Sequence, residues 1–271
     1  MMSNINAKQT IDLHTRDEGE GNPLVLLHGF TGSGESMSQI AKSLPSRVIS
    51  PDLIGHGLSP SPEALEYYRV ESMVEQIRRI AESRVDGPIS ICGYSMGARL
   101  ALSYASRYQD DINALIMIGG TPGIEDKHEA DERARLDAQL AARIESEGIA
   151  KFASYWEALP MFASQLQLSS DLRINIRRIR LSQRPHAIAN ALRMGSTGMM
   201  SPMWEMLPEL WIPTLLITGE YDVKFTGIAK RMEHILPRGK HVIISGVGHA
   251  AHTEDPKKVA ECIKEFLRTH E

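Results

Sequence analysis

Residues 93–97 read Gly-Tyr-Ser-Met-Gly, and a serine set between two glycines can house a reactive hydroxyl. The run before it, Ile89 to Cys92, has the apolar character of a buried strand, and Leu100 to Tyr108 has a helical pattern. A sharp turn between strand and helix exposes the Ser95 hydroxyl at the sheet edge and aims a helix N-terminus at developing negative charge. The flanking Gly93 and Gly97 let backbone segments approach where a Cβ would clash. Such a hydroxyl needs an imidazole to take its proton and a carboxylate to orient that imidazole. The run TLLITGEYD ends a strand at Asp222, and HVIISGVGHAAHTEDP ends the next with His249 directly after Gly-Val-Gly. Glu220 is a rival acid that still belongs to the turn, and His252 is a rival imidazole suited to a structural role. Two backbone N–H donors are also needed for an oxyanion, and the chain offers Met96 after the serine and Phe30 in LVLLHGFTGSG. His28 in that loop and His56 in PDLIGHGLS read as residues that brace turns.

These residues must be carried by an alternation of strands and helices. Short, nearly continuous apolar runs recur at Leu24–Leu27, Val48–Ser50, Ile89–Cys92, Ala114–Ile118, Thr214–Thr218 and His241–Ser245, as parallel strands covered on both faces require. Helical spacing over Val70–Ala81 and Pro256–Leu267 falls between or after them. The pattern predicts an α/β fold with a doubly wound, mostly parallel sheet. Between residues 123 and 201 the alternation stops and only helices are predicted. We expect a core of 1–122 and 202–271 with a helical cap, 123–201, inserted over the carboxyl ends of the strands. The cap holds nine arginines and two lysines against ten acids, an arginine-rich balance unlike the eleven arginines and eight lysines elsewhere.

Composition narrows the function classes. The 271 residues carry a net charge of −4, which provides no basic field for nucleic acid and no polybasic membrane patch. No apolar run approaches the roughly 20 residues of a bilayer span. The stretch MMSNINAKQTIDLHT lacks the apolar core of a signal peptide, so a cytoplasmic protein is expected. Cys92 and Cys262 read as separate buried thiols, and neither a CxxC nor an HExxH pattern announces a metal.

With the order Ser95, Asp222, His249 in place, the chain resembles the α/β-hydrolase superfamily over nearly its full length. The stretches LLHGFTGSG, PDLIGHGLS, GYSMGARLAL, ITGEYD and GVGHAAHTEDP carry the resemblance. More narrowly, Gly-Tyr-Ser-Met-Gly-Ala-Arg is similar to the serine motif of the 2-succinyl-6-hydroxy-2,4-cyclohexadiene-1-carboxylate synthases of menaquinone biosynthesis. That family implies a cofactor-independent lyase releasing pyruvate from a small polycarboxylate, with the serine–histidine–aspartate set as a general base. It also implies substrate contacts at Tyr94, Arg99, Arg133, Trp156 and Arg180. Arg99 has a physical argument of its own. It lies one helical turn beyond Ser95, so both face one cavity, and its planar fork suits a carboxylate. A cap acid is its alternative partner, and Trp156 alternatively packs in a cap core. Two other functions share the frame: a serine esterase or C–C hydrolase using Ser95 as nucleophile, and a non-catalytic binding protein. The latter has no need of an intact triad.

Overall fold

The computed structural model describes residues 11–270. The first ten residues of the stretch MMSNINAKQTIDLHT, on which the expectation about a signal peptide rests, lie outside that range. Seven strands are present: β1 Thr15–Glu18, β2 Pro23–Leu27, β3 Arg47–Pro51, β4 Ile89–Tyr94, β5 Ile112–Ile118, β6 Thr214–Gly219 and β7 Gly239–Ile244. They form one sheet in the order β1-β3-β2-β4-β5-β6-β7. Every pairing is parallel except β1 with β3. The sheet is therefore doubly wound and mostly parallel, as the apolar runs predict. Strand β1 carries the polar sequence Thr-Arg-Asp-Glu and is half exposed at the edge, so hydrophobic periodicity gives no sign of it.

The helices are α1 Ser38–Ala41, α2 Val70–Arg84, α3 Met96–Arg107, α4 Lys127–Glu147, α5 Ile149–Glu157, α6 Ser170–Leu181, α7 Pro185–Met194, α8 Val223–Ile235, α9 Ala251–Glu254 and α10 Pro256–Arg268. Alternate strand residues point to opposite faces, and the two halves of the core divide accordingly. Val25, Leu27, Ile91, Leu115 and Met117 pack with residues of α2, α3 and α8. Leu24, Leu26, Cys92, Ile116 and Ile217 pack with Ile40 of α1 and Val259, Ile263 and Phe266 of α10. Burial raises the Cys92 thiol pKa well above its ordinary range.

Between β5 and β6 the described chain contains helices and no strand. Ala141 and Ile144 of α4, Phe152 of α5, and Ile188, Ala189 and Leu192 of α7 make a separate small core there. This helical unit is fastened to the loops after β2 and β3. The Gln183 amide donates to the Gly32 carbonyl at 3.1 Å and accepts from the Gly57 N–H at 3.1 Å. Arg184 donates to the Gly57 and Ser59 carbonyls. Arg178 pairs with Glu35 across the same seam.

Candidate active site

The turn between β4 and α3 holds Ser95 at φ 51° and ψ −104°, a left-handed conformation costly for a residue with a side chain. The glycines around it make the turn fit. A Cβ on Gly93 would lie 2.2 Å from the Gly97 carbonyl, and one on Gly97 would lie 2.4 Å from the Leu27 carbonyl oxygen. Gly97 thus sets the start of α3 directly against the end of β2, beside the loop that carries Phe30. Met96 is the first residue of α3, so its N–H has no acceptor within the helix. Phe30 and Met96 both line the cavity in front of Ser95.

The His249 Nε2 stands 3.1 Å from the Ser95 Oγ, and its Nδ1 is 2.6 Å from the Asp222 carboxylate. An ionised carboxylate only accepts, so Nδ1 carries the hydrogen and Nε2 is left to accept from the serine. Both His249 and Asp222 are buried. Glu220 is exposed and accepts from the Gly246 N–H at 2.8 Å, which shapes the loop ahead of His249. His252 is buried, its Nε2 is 3.0 Å from the Thr253 hydroxyl, and its ring packs on Tyr94. Burial pushes its pKa down to about 3. His28 donates from Nδ1 to the Gly29 carbonyl and accepts at Nε2 from the Leu53 N–H, tying the loops after β2 and β3 together. His56 donates to the Ile54 carbonyl within its own turn.

The cavity before Ser95 has a volume of about 570 Å³. Arg99 reaches its wall, and its guanidinium donates to the Gly195 carbonyl at 2.8 Å. Among the described residues no carboxylate is ion-paired with it. Burial, reinforced by the like charge of Arg133 and partly offset by Asp137, pushes the Arg99 pKa down to about 10. Arg133 lines the same cavity and holds Asp137 at 2.8 Å, while Asp137 also accepts from the Ser196 hydroxyl. Tyr94 and Trp156 are also in this wall. Trp156 also packs edge-on against Phe30 at 5.4 Å and lies against the small helical core of α4, α5 and α7. Arg180 stands elsewhere. It is 7% exposed, pairs with Glu157 at 3.3 Å and lines an adjoining cavity behind Phe30, Tyr94, Trp156 and Phe162.

Two contributors escape sequence reasoning. Phe225, three residues past Asp222, packs against the His249 ring with centroids 4.4 Å apart and the planes tilted by 43°. Glu254 accepts from the Gly248 N–H at 2.7 Å and so fixes the backbone just before His249. Its place five residues after His249 is the only trace of this in the sequence. Among the described residues, no group of three or more His, Cys, Asp or Glu side chains gathers as a metal site needs.

The α/β-hydrolase fold family model matches residues 22–256. A Bacillus subtilis (strain 168) protein provisionally named 2-succinyl-6-hydroxy-2,4-cyclohexadiene-1-carboxylate synthase is 35% identical, over 97% of each chain. The synthase of that name from Enterobacter sp. (strain 638) is 31% identical over 94% of this chain and 95% of its own. Among solved structures, MenH from S. aureus superposes with a TM-score of 0.91 at 36% identity, covering 95% of this chain and 98% of that one. A malate-bound esterase from Thermogutta terrifontis superposes at 0.84 with 27% identity, over 96% and 95%. The chain belongs to the α/β-hydrolase fold family and, within it, to the 2-succinyl-6-hydroxy-2,4-cyclohexadiene-1-carboxylate synthases.

Proposed function

We propose that this protein is a cofactor-independent carbon–oxygen lyase. It eliminates pyruvate from 2-succinyl-5-enolpyruvyl-6-hydroxy-3-cyclohexene-1-carboxylate and yields 2-succinyl-6-hydroxy-2,4-cyclohexadiene-1-carboxylate, a step of menaquinone biosynthesis. The observation that carries this reading is Arg99: a cavity-lining guanidinium, one turn from Ser95, with no carboxylate ion-paired to it among the described residues. A charge held where burial disfavours it is an anion receptor, and a neutral ester has no use for it.

In this reading Asp222 holds the His249 ring, and Nε2 takes the Ser95 proton. The serine oxygen removes the proton α to the succinyl ketone. The ketone oxygen gains charge and is met by the Phe30 and Met96 N–H groups. Collapse of that enolate forms the C2–C3 double bond, moves the ring double bond from C3–C4 to C4–C5 and breaks the C5 bond to the enolpyruvyl oxygen, and the proton held on the base returns to the leaving group, which departs as pyruvate. Arg99 and Arg133 bind carboxylates of the substrate, and Tyr94 and Trp156 wall its ring. Residues 123–201 form the cap over a core of 1–122 and 202–271. A soluble, cytoplasmic setting fits a polyanionic intermediate, and among the described residues no helix is long and apolar enough to cross a membrane.

The test is pyruvate release from the named substrate. Wild type is expected to produce pyruvate and the diene acid in equal amounts, and Ser95→Ala to lose about 10³-fold or more in rate while still binding substrate. The malate-bound esterase keeps a second reading open, in which Ser95 is a nucleophile towards esters. Turnover of aryl esters without pyruvate release would favour it. Absence of both activities would favour a binding protein.

A further inference from the structure

His249 is gripped mostly by the core. Asp222 holds its Nδ1, Phe225 packs against its ring, and a Cβ on Gly119 would stand 2.9 Å from its Cε1. The backbone just before it is set by Glu254, whose Oε2 accepts from the Gly248 N–H at 2.7 Å. The other oxygen of that carboxylate, Oε1, is buried without a hydrogen-bond partner, and so is the Ser164 Oγ. Ser164 belongs to the 3₁₀ helix Pro160–Gln167, in the helical unit between β5 and β6. The two oxygens meet over Gly248. The position a Cβ would take there is 2.2 Å from Ser164 Oγ and 3.5 Å from Glu254 Oε1. A hydroxyl donates and a carboxylate oxygen accepts, so each is the group the other lacks. Buried polar groups left unpaired are costly, and native structures pair nearly all of them. Phe162, two residues before Ser164, also faces the His249 ring, with centroids 6.2 Å apart. Neither Ser164 nor Glu254 is in the wall of either cavity.

We propose that Ser164 and Glu254 are a positioning pair for His249: the Ser164 hydroxyl donates to Glu254 Oε1 and clamps Gly248 between the helical unit and the core. The side chains rotate towards each other over Gly248, where no Cβ stands in the way. Asp222 fixes which way the imidazole faces, but the backbone at Gly248 fixes where the ring starts. Nε2 stands 3.1 Å from the Ser95 Oγ, and a misplacement of about 1 Å costs on the order of 100-fold in rate. The helical unit that brings Arg133 to the main cavity thus also supports the base. The inference rests on His249 acting on Ser95, which the lyase and esterase readings share.

Ser164→Ala is expected to lower kcat for pyruvate release by about three- to tenfold with KM unchanged, since the hydroxyl lies outside the cavity walls. Glu254→Ala also frees the Gly248 N–H and lowers kcat by about 10- to 100-fold. Glu254→Gln keeps an acceptor for Gly248, turns its amide donor towards the Ser164 Oγ and recovers most of that loss. The double variant Ser164→Ala/Glu254→Ala is no slower than Glu254→Ala alone, as two groups in one contact require. One readout needs no substrate: the downfield proton resonance of the Nδ1–H between His249 and Asp222 broadens in Ser164→Ala as its exchange with solvent quickens. The proposal is overturned if Ser164→Ala lowers Tm but leaves kcat and this resonance at their wild-type values, if it raises KM instead, or if the two losses multiply in the double variant. Should Glu254→Ala fail to fold, Ser164→Ala alone decides. Failure of the lyase reading looks different: no pyruvate comes from the substrate, yet aryl acetate hydrolysis and the His249 resonance still respond to Ser164→Ala.

Discussion

Arg99 is the residue at which lyase and esterase readings part. Its guanidinium has a carbonyl for company, and an incoming carboxylate can restore the charge balance that burial and Arg133 disturb. Arg99→Lys keeps the charge and loses the planar double contact, which is expected to cost about 1.5–3 kcal/mol, or roughly 10- to 150-fold in kcat/KM on the polycarboxylate. Arg99→Ala costs more on that substrate and barely alters hydrolysis of an aryl acetate. Equal losses on both substrates, together with a lowered Tm, would make the arginine a structural one. A second contrast concerns the acid. Asp222 is hydrogen-bonded to His249, whereas Glu220 holds only the Gly246 N–H. Asp222→Asn is therefore expected to lose about 10⁴-fold in kcat through the wrong tautomer. Glu220→Gln keeps a carbonyl acceptor for Gly246 and loses little. Side-by-side rates on folded proteins check the ranking.

At the scale of elements, the site depends on how closely α3 is driven against β2. Gly97 makes that approach possible, since its Cβ position is occupied by the Leu27 backbone. Gly97→Ala must push the helix start and the Phe30 loop apart. If these carry the oxyanion donors, kcat falls by about 10²–10³-fold, the usual cost of losing one such donor. Steady-state kinetics and a melting curve on the same sample separate this from general unfolding. Most of this arrangement was legible in the sequence because each reacting residue sits at the end of an apolar run: Ser95 after β4, Asp222 after β6 and His249 after β7. A buried parallel strand declares itself by composition, and its carboxyl end is where a fold of this kind displays side chains. What was illegible depends on contacts between distant segments. Strand β1 has no apolar signature. Arg180 looks equivalent to Arg133 along the chain, and only the packing of Phe30, Trp156 and Phe162 assigns them to different cavities. Glu254 and Phe225 act on His249 through a backbone N–H and a tilted ring contact, and the five-residue step from His249 to Glu254 is the one spacing that hints at either.

For the molecule as a whole, the buried histidines link stability to pH. His56 and His252 are fully enclosed, and burial, aided by His28 and His249 respectively, brings each down to about 3. Burial also lowers His28, whose Nε2 is already committed to accepting from the Leu53 N–H. In the unfolded chain all three titrate near the ordinary histidine value of about 6.5. Folded-state pKa values below the unfolded ones mean that the unfolded state binds more protons as the solution is acidified. Stability is therefore intact above about pH 6.5 and is lost progressively towards pH 3, with an uptake of about two to three protons on unfolding across that window. Denaturant melts at half-unit steps from pH 7 to pH 4 measure the slope. His252→Gln preserves a polar side chain and removes the titration, so its curve should be flatter by about one proton, even if its stability at pH 7 is lower. An unchanged slope in this variant would mean that His252 takes up its proton within the folded protein and that its enclosure beneath Tyr94 opens readily.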